Sequence, residues 1–328
     1  MIMQFNQNEF VGGLTNLCVN VYVNDAVAEG QDRLVASCMH EAVSFGDKAA
    51  LISVDTLPVS DYADASSLLS VVKPIMDEQQ LDTTDRKKIQ VTLNKYLMAG
   101  AFTGEYSLAE AFAVILSMLT KTKDIYLYKK VVAAYEGYVG GKENDGTLKP
   151  MLATQTITID LVDVSELTSE VEKQAARTAN SNKCLEVMLK TYHNLCAPSR
   201  KYNELGYETK SKPSDLKFVV NDNFETGFVT NSFATLLNSG RISEKETWSE
   251  TIVIPEDQFA SDTTKENVIG WFGHKDKYQI KPRFEVGTSF FDASNLNQND
   301  WLHFWLISGF ANGLPMVKFV ANFITPEV

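Results

Sequence analysis

The sequence predicts an α+β protein, in which helices and strands follow one another without a regular βαβ repeat. Three observations support this prediction. Apolar side chains recur at helical spacing from Ser107 to about Tyr138, and residues 88–94 alternate between polar and apolar as a half-exposed strand does. The chain also closes on its most apolar stretch, Trp301 to Phe323. Because chain ends usually fray into solvent, we expect this stretch to be tied into a core.

Composition and charge limit the class of protein. The chain has 328 residues, 44% of them hydrophobic, which supports a sizeable core and excludes wholesale disorder. A net charge of −12 argues against a dedicated nucleic-acid binder, because such proteins normally carry a basic face. The N-terminus has no signal-peptide pattern, and no apolar run reaches the ~18 residues of a membrane-spanning helix. We therefore expect a soluble protein with no membrane partner.

The cysteines and histidines do not predict a metal site. Four cysteines are too few for a disulfide framework and fit a reducing compartment. The best candidate ligand set is Cys184, His193 and Cys196, with Cys18 or Cys38 as the fourth ligand. Zinc sites usually take pairs of ligands from one turn, and only His193 and Cys196 are so placed. Buried thiols that act as small apolar side chains are therefore the favoured interpretation, and we predict no bound metal.

Two other motifs lack the residues that their chemistry needs. A phosphate-binding loop requires a further glycine upstream and a serine or threonine after its lysine, and Gly140-Gly141-Lys142 has neither. A zinc helix requires a second histidine four residues after the first, but His40-Glu41 is followed by Ser44 at that position. We therefore predict no catalytic residue and no cofactor.

Sequence patterns in the N-terminal third predict three strands and one short helix. The strands are at Leu17–Val23, Ala49–Leu57 and residues 88–94, and the helix is at Ala65–Val72. In the last strand, Ile89, Val91 and Leu93 share one face, and polar side chains occupy the other. Residues 1–40 carry too little apolar surface for a domain of their own, so we expect them to form an arm that packs against another surface.

The clearest predicted element is a helix of roughly 30 residues that ends near Tyr138. Ser107 and Glu110 have the spacing of a capping box, in which the serine oxygen accepts a backbone hydrogen bond. The apolar stripe comprises Leu108, Phe112, Ile115, Leu116, Leu119, Ile125, Tyr128, Val132 and Tyr135. The polar stretch at residues 121–124 is where this helix would fray or kink, and the glycines from Gly140 to Gly146 predict a hairpin-like loop after it.

The C-terminal half predicts a mixture of strands and helices. Those predicted elements are a strand at Gln155–Val164, a helix from a Ser169/Glu172 capping box to about Leu195, strands at Leu216–Val220, Thr251–Ile254 and Val268–Phe272, a helix at Ser232–Leu237, and two buried strands that turn at Gly313-Leu314-Pro315. Trp301 and Trp305 lie in the most apolar run, which favours core packing. Trp271 lies beside glycines, and both core packing and an exposed contact remain open for it.

The order of these segments resembles the major capsid protein of tailed bacteriophages, whose HK97-like fold is shared with encapsulins. The resemblance is carried by KKIQVTLNKYLMAGAF (87–102), which leads into YSLAEAFAVILSMLTKTKDIYLYKKVVAAYEGY (106–138), and by the closing run WLHFWLISGFANGLPMVKFVANF with its Phe-Ala-Asn segment at 310–312. Shell proteins of small short-tailed phages are the most similar group. The resemblance implies an α+β, HK97-like capsid fold with an N-terminal arm, an extended E-loop, a long spine helix in a peripheral domain and an α/β axial domain.

The resemblance also implies a domain order and a function. The arm would comprise residues 1–40, the E-loop 41–103, the peripheral domain 104–163 and 293–328, and the axial domain 164–292. The protein would self-assemble into pentamers and hexamers of an icosahedral shell that encloses double-stranded DNA, in a virion assembled in the host cytoplasm. Its implied partners are other copies of itself, scaffold, portal and decoration proteins, and packaged DNA through weak non-specific contacts.

An arm and a long hairpin that cannot bury their apolar faces alone should bury them on neighbouring copies. The predicted contacts between copies are Val19, Val21, Ile89, Val91, Leu93, Tyr96 and Trp271. Three other functions stay open: an encapsulin-like compartment shell, a soluble α/β enzyme or ligand-binding protein with an unrecognised site, and a portal or tail component. Nucleic acid inside the particles would separate a virus shell from an encapsulin-like compartment, and a compact monomer would favour the enzyme.

Overall fold

The computed structural model describes residues 32–44, 47–59, 72–81, 84–94, 108–224, 250–292 and 297–325. Its helices are α1 (Arg33–Ala36), α2 (Leu108–Glu136), α3 (Glu170–Cys196), α4 (Asp222–Phe224) and α5 (Asp262–Asn267). Its strands are β1 (Ala50–Val54), β2 (Met76–Gln80), β3 (Thr84–Asn94), β4 (Gly140–Lys142), β5 (Leu148–Pro150), β6 (Thr156–Val162), β7 (Leu216–Asn221), β8 (Glu250–Ile254), β9 (Val268–His274), β10 (Tyr278–Asp292), β11 (Asn297–Phe310) and β12 (Met316–Ile324). The strand predicted at Leu17–Val23 and the helix predicted at Ser232–Leu237 lie outside the described residues, as does nearly all of the helix predicted at Ala65–Val72.

The chain forms two compact units, each assembled from segments that are distant in the sequence. The first unit comprises Met1–Asp47, Thr83–Val131 and Ile280–Ile307. The second unit comprises Lys48–Asp82, Val132–Gln279 and Ser308–Val328. The domain bounds implied by the capsid resemblance remain a prediction.

The first unit is built on a three-stranded sheet with the strand order β10-β11-β3. Residues 297–307 of β11 pair antiparallel with the whole length of β3, which confirms the strand predicted at residues 88–94 and extends it. The side chains buried on one face of β11 are Leu302, Phe304 and Leu306. On that face the Phe304 ring meets the Tyr126 ring of α2 edge-on at 5.7 Å, so part of α2 packs against the sheet here.

The long helix is confirmed: α2 has 29 residues, about 44 Å at 1.5 Å per residue, and residues 121–124 do not interrupt it. The predicted apolar stripe is wrong at Ile125, which is 46% exposed, whereas Leu127 is buried. Two residues along a helix differ by about 200° in direction, so these side chains lie on opposite sides. The inward side also carries Lys123, whose ammonium group binds the Glu285 carboxylate at 2.7 Å. A sequence pattern of apolar residues does not identify Lys123 as an inward-facing residue, because its charge is paired with Glu285 only in the folded chain.

The second unit is centred on a mixed five-stranded sheet with the order β6-β12-β9-β7-β8. β12 is parallel to β6, β7 is parallel to β8, and the central strand β9 is antiparallel to both of its neighbours. Helix α3 packs against this sheet. The core that they share includes Ile159, Leu161, Cys184, Met188, Tyr192, Leu195, Phe218, Phe272 and Phe319. The four strands predicted between residues 155 and 272 are thus confirmed, and their mixed order fits an α+β fold.

Helix α3 begins where the sequence predicts, but the predicted hydrogen bond is absent. Ser169 is the residue before the first turn, and its side chain makes no capping hydrogen bond. Glu170 and Glu172 lie in the first turn, where negative charge is favoured by the helix dipole. The helix ends at Cys196, and Pro198 follows at a position from which a helix cannot continue.

The two strands in the apolar C-terminal stretch are confirmed, and they do not pair with each other. β11 belongs to the three-stranded sheet, and β12 lies between β6 and β9 in the five-stranded sheet. Other groups hold the turn that joins them. The Lys277 ammonium donates to the carbonyl oxygens of Ala311 and Leu314, and the His274 N–H donates to that of Pro315. Periodicity identifies each strand, whereas its partner comes from a distant segment.

Four strands of the described part are absent from the sequence prediction. β4 and β5 have three residues each and pair around the predicted hairpin-like loop. β2 has the polar sequence MDEQQ, and the 15-residue β10 contains Pro282 and Gly287, two residue types that weaken a strand pattern. β1 is shorter than the strand predicted at Ala49–Leu57. Within the residues that the structure describes, no helix is both long enough and apolar enough to cross a membrane.

Candidate functional site

β1 and β2 form a separate two-stranded antiparallel hairpin within the second unit. Its register runs from Ala50 opposite Gln80 to Val54 opposite Met76. Because opposite residues of an antiparallel pair share a face, one face of the hairpin carries Ile52, Val54 and Met76. These side chains are 71%, 55% and 62% exposed. The hairpin therefore turns an apolar face away from its own unit.

Four further exposed apolar residues lie in the segments that flank the two paired strands along the chain. We call the following seven exposed residues the hairpin surface: Ile52, Val54, Leu57, Val59, Val72, Ile75 and Met76. They make up seven of the sixteen large apolar side chains that are exposed in the described part of the chain. Such clustering is typical of an interaction surface. Sequence reasoning missed these residues, because an apolar side chain in a short strand gives no sign of whether its face is covered.

The second candidate surface is the exposed face of the three-stranded sheet in the first unit. Its residues, which we call the basic-aromatic face, pair across β3 and β11 as Arg86 with Trp305, Lys88 with His303, and Gln90 with Trp301. The Arg86 guanidinium lies 4.5 Å from the centre of a Trp305 ring, and the Phe284 ring lies 5.1 Å from Trp305. These three pairs contain no carboxylate, although the chain has 42 acidic residues. Tryptophan and arginine are the residue types enriched at the energetic centres of interfaces.

This face corrects the expectation that Trp301 and Trp305 are core residues. Both are half-buried, and they lie on the same face as the exposed Arg86 and Lys88. The alternation of a strand turns the intervening residues Leu302, Phe304 and Leu306 inward instead. An apolar run does not specify which half of its side chains faces the core.

Trp271 is not an exposed contact, and its assignment as a contact between copies is wrong. Its side chain is 1% exposed and packs against the rings of Tyr135 at 5.7 Å and Phe259 at 5.9 Å. The neighbouring Gly270 lies on the central strand β9, within the strand predicted at Val268–Phe272. A Cβ atom added to Gly270 would lie 2.4 Å from the carbonyl oxygen of Val219, so glycine is needed for close approach of the neighbouring strand.

The other predicted contacts stay predictions. Ile89 and Val91 lie on β3 as expected, half-buried on the face away from Arg86, opposite Leu302 and Asp300 of the same chain. Val19, Val21 and Tyr96 lie outside the described residues, and so does the side chain of Leu93.

The described cysteine and histidine residues considered as metal ligands do not form a cluster, and Cys18 lies outside the described residues. Cys38 and Cys184 are buried and Cys196 is half-buried, all as free thiols. Burial raises the pKa of the Cys184 thiol to about 12, so it stays protonated at neutral pH and is a poor metal ligand. Among the described residues, no group of histidine, cysteine and carboxylate side chains is arranged to hold a metal ion.

A buried ion pair lies inside the second unit. The Lys277 ammonium binds the Glu204 carboxylate at 2.5 Å, and both side chains are fully buried. Burial lowers the pKa of Lys277, although the Glu204 carboxylate opposes that shift. The Tyr138 hydroxyl donates to the same carboxylate, and burial raises the pKa of Tyr138 well above its usual value. With Glu204 and two carbonyl oxygens, Lys277 uses all three of its donors, so the arrangement is a closed structural network rather than a reactive site.

Comparison with known proteins agrees with this architecture. The capsid structure of Staphylococcus phage Andhra is 12% identical with a TM-score of 0.59, and the match covers 89% of this chain and 84% of that chain. The capsid structure of cyanophage P-SCSP1u is 12% identical with a TM-score of 0.54, covering 88% of this chain and 86% of that one. The mature capsid of bacteriophage PhiM1 is 10% identical with a TM-score of 0.52, covering 90% of this chain and 89% of that one. At these identities the three structures show a shared fold, which confirms the expected HK97-like α+β capsid fold.

The family assignment comes from the sequence itself. No curated protein matches the chain. The family model of the Phi29-like phage major capsid protein, however, matches residues 1–320, nearly the whole length. Since both this match and the shared capsid fold extend along most of the chain, the protein belongs to the family of Phi29-like phage major capsid proteins.

Proposed function

We propose that this major capsid protein assembles with other copies of itself, as pentamers and hexamers, into an icosahedral shell that encloses double-stranded DNA. The observation that carries the proposal is the hairpin surface, whose seven apolar residues are left exposed by the single chain. The protein acts in the virion as a structural component without catalytic activity, and assembly takes place in the host cytoplasm. Scaffold, portal and decoration proteins are further proposed partners, and packaged DNA makes weak non-specific contacts with the shell.

The free energy available from one hairpin favours cooperative assembly. Full burial of a side chain of this size contributes about 1.5–3 kcal/mol. Because Ile52, Val54 and Met76 are only partly exposed, their burial on a neighbour would contribute about 3–6 kcal/mol together. Association of two proteins loses about 4–15 kcal/mol through translational and rotational freedom. Burial of these three side chains therefore offsets only the low end of this loss, so several contacts for each copy, as a closed shell provides, favour stable assembly.

We propose that the hairpin surface binds to the basic-aromatic face of a neighbouring copy. Trp305 and Arg86 supply an aromatic and cationic surface, and their cross-strand pairs contain no carboxylate. The hairpin brings the complementary charge, since the exposed Glu78 side chain lies opposite Ile52 on the same face. Residues of opposite charge across an interface steer the approach of two copies and select their relative orientation.

The remaining assignments follow the capsid resemblance. Residues 1–40 are the proposed N-terminal arm, 41–103 the E-loop, 104–163 with 293–328 the peripheral domain, and 164–292 the axial domain. The 29-residue length of α2 supports its assignment as the spine helix. Val19, Val21, Ile89, Val91, Leu93 and Tyr96 remain proposed contacts between copies.

A charge placed on the hairpin surface tests this function. Val54→Asp is expected to fold normally and to abolish shells, because assembly would bury an unpaired carboxylate. Val171→Asp is the matched control: Val171 is 79% exposed in the first turn of α3, where a carboxylate is favoured. Circular dichroism reports folding, and gel filtration with negative-stain electron microscopy reports shells.

One outcome would contradict the role of the hairpin surface in assembly, and another would contradict the enclosure of DNA. Normal shells from a Val54→Asp, Ile52→Asp double variant would show that the hairpin surface is not an interface. Shells that contain no nuclease-protected DNA after production in infected cells would favour an encapsulin-like compartment instead.

A further inference from the structure

The inner face of the hairpin is attached to its own unit through one buried side chain. The Gln79 amide nitrogen donates to the carbonyl oxygens of Lys142 at 2.9 Å and Phe310 at 2.7 Å. Its amide oxygen accepts from the Asn312 N–H at 2.8 Å. Both N–H donors and the oxygen of Gln79 are thus used, and they join β2 to the β4–β5 loop and to the turn between β11 and β12.

A second side chain covers the free edge of β2. The Asn144 amide oxygen accepts from the Gln80 N–H, and its amide nitrogen donates to the Glu78 carbonyl oxygen, both at 2.6 Å. A side-chain amide that makes both bonds replaces the backbone of a neighbouring strand, and an edge strand is otherwise open to pairing. Asn144 itself is exposed in the β4–β5 loop, so it touches the hairpin from outside the core.

A third contact holds the end of β1. The buried Asp55 carboxylate accepts from the Glu208 N–H at 3.0 Å and from the Arg200 guanidinium at 2.8 Å. The hydrogen bond from the Glu208 N–H lowers the pKa of Asp55, although desolvation opposes the shift, so the carboxylate is ionised at neutral pH. The hairpin is therefore held at the ends of both strands.

The backbone of the turn between β11 and β12 is also shaped to the hairpin. A Cβ atom added to Gly313 would lie 2.1 Å from the Ser53 hydroxyl oxygen on β1. Any side chain at this position would push the hairpin away, because a Cβ atom does not approach a non-bonded atom this closely. Close packing here is independent of the hydrogen bonds of Gln79, Asn144 and Asp55, and it restrains the same element.

We infer that Gln79, Asn144 and Asp55 are positioning residues that fix the direction of the hairpin before a second copy arrives. The inference rests on the proposed function, in which the hairpin surface contacts a neighbouring copy. A hairpin that swings freely presents its apolar face correctly for only part of the time. The apparent affinity of each contact falls by that fraction, so a hairpin held at its base assembles at a lower protein concentration.

The test compares Gln79→Ala and Asn144→Ala with the control Gln80→Ala. Gln80 has the same side chain as its neighbour but lies on the opposite face of β2. Hydrogen exchange follows the amides of Leu81 and Asp55, whose partners are the Ala49 and Ile75 carbonyl oxygens. Static light scattering gives the lowest concentration at which purified protein forms shells.

In Gln79→Ala and Asn144→Ala we expect the hydrogen-exchange rates of the hairpin amides to rise about tenfold or more, since each variant loses at least two hydrogen bonds. Exchange in β7 and β9 should stay unchanged, which separates a positioning role from a general loss of stability. The concentration needed for assembly should also rise, by the reciprocal of the fraction of time that the hairpin is in place, with normal shells above it. Gln80→Ala should behave as the unsubstituted protein does.

The outcomes separate this inference from the proposed function. If the unsubstituted protein forms no shells, the proposed function fails; if it does and Ile52→Asp forms them equally well, the hairpin surface is not an interface. If Ile52→Asp blocks assembly while Gln79→Ala and Asn144→Ala change neither hairpin exchange nor the assembly concentration, the positioning role is overturned. Should Gln79→Ala fail to fold, the exposed Asn144→Ala variant decides the question alone, because its side chain lies outside the core.

Discussion

Substitution of Lys277 offers a quantitative test of the buried ion pair. Lys277→Met keeps most of the side-chain volume and removes the ammonium group. The Glu204 carboxylate then stays buried with the Tyr138 hydroxyl as a donor but without a cation. The carbonyl oxygens of Ala311 and Leu314 lose a donor at the same time.

The size of the effect follows from these contacts. Removing one partner of a buried ion pair destabilises a protein by about 3–5 kcal/mol. In a unit of this size 1 kcal/mol corresponds to roughly 2–4 °C, so the midpoint of thermal unfolding should fall by roughly 6–20 °C. The double variant Lys277→Met, Glu204→Gln has no buried charge. Its expected loss is only about 1–3 kcal/mol, from carbonyl oxygens that lack a donor.

Thermal and urea unfolding, followed by circular dichroism, measure both variants against the unsubstituted protein. Lys173→Met is the control, because Lys173 forms a surface ion pair with Glu170 and such pairs contribute little. If Lys277→Met unfolds at the temperature of the control, or if the double variant is less stable than the single one, the uncompensated charge is not what destabilises the unit.

Titration of Cys184 and the direction of α2 give further tests. The pKa of Cys184 is raised from 9.0 to about 12, so its stabilising contribution is complete below pH 9 and is lost as the pH rises towards 12. Cys184→Ala should flatten this decline in urea midpoints, and an unchanged pH profile would contradict it. Leu127→Asp should prevent folding, because it buries an unpaired carboxylate, whereas Ile125→Asp should fold. Equal circular dichroism spectra for these two variants would contradict the direction of the helix.

Local patterns were sufficient to predict the two long helices and most of the described strands. Apolar spacing identified α2, and alternation identified β3, because these periods follow from backbone geometry alone. The polar β2 has no such pattern, and the direction of Ile125 depends on a helix that continues through residues 121–124. Elements that depend on local geometry were therefore predicted, and those that depend on distant partners were not.

The candidate site was predicted less well than the fold. The sequence suggested Trp271 as a surface contact and Trp301 and Trp305 as core, and the structure reverses both assignments. The residue type alone does not separate the two assignments, since a tryptophan fits a protein core and an interface equally well. Which side of a strand is covered depends on the element that packs against it.

By itself the sequence determined the α+β class, the long helix, the strands with a clear alternation and the likeness to a phage capsid protein. Only the tertiary structure decided that β11 and β12 join different sheets, that the face of Ile52 stays uncovered, and that Gln79 holds the hairpin at its base. The physical reason is the separation along the chain between the residues that interact. Periodicity depends on neighbouring residues, whereas burial and hydrogen-bond partners come from distant segments, as Asn312 does for Gln79 from 233 residues away along the chain.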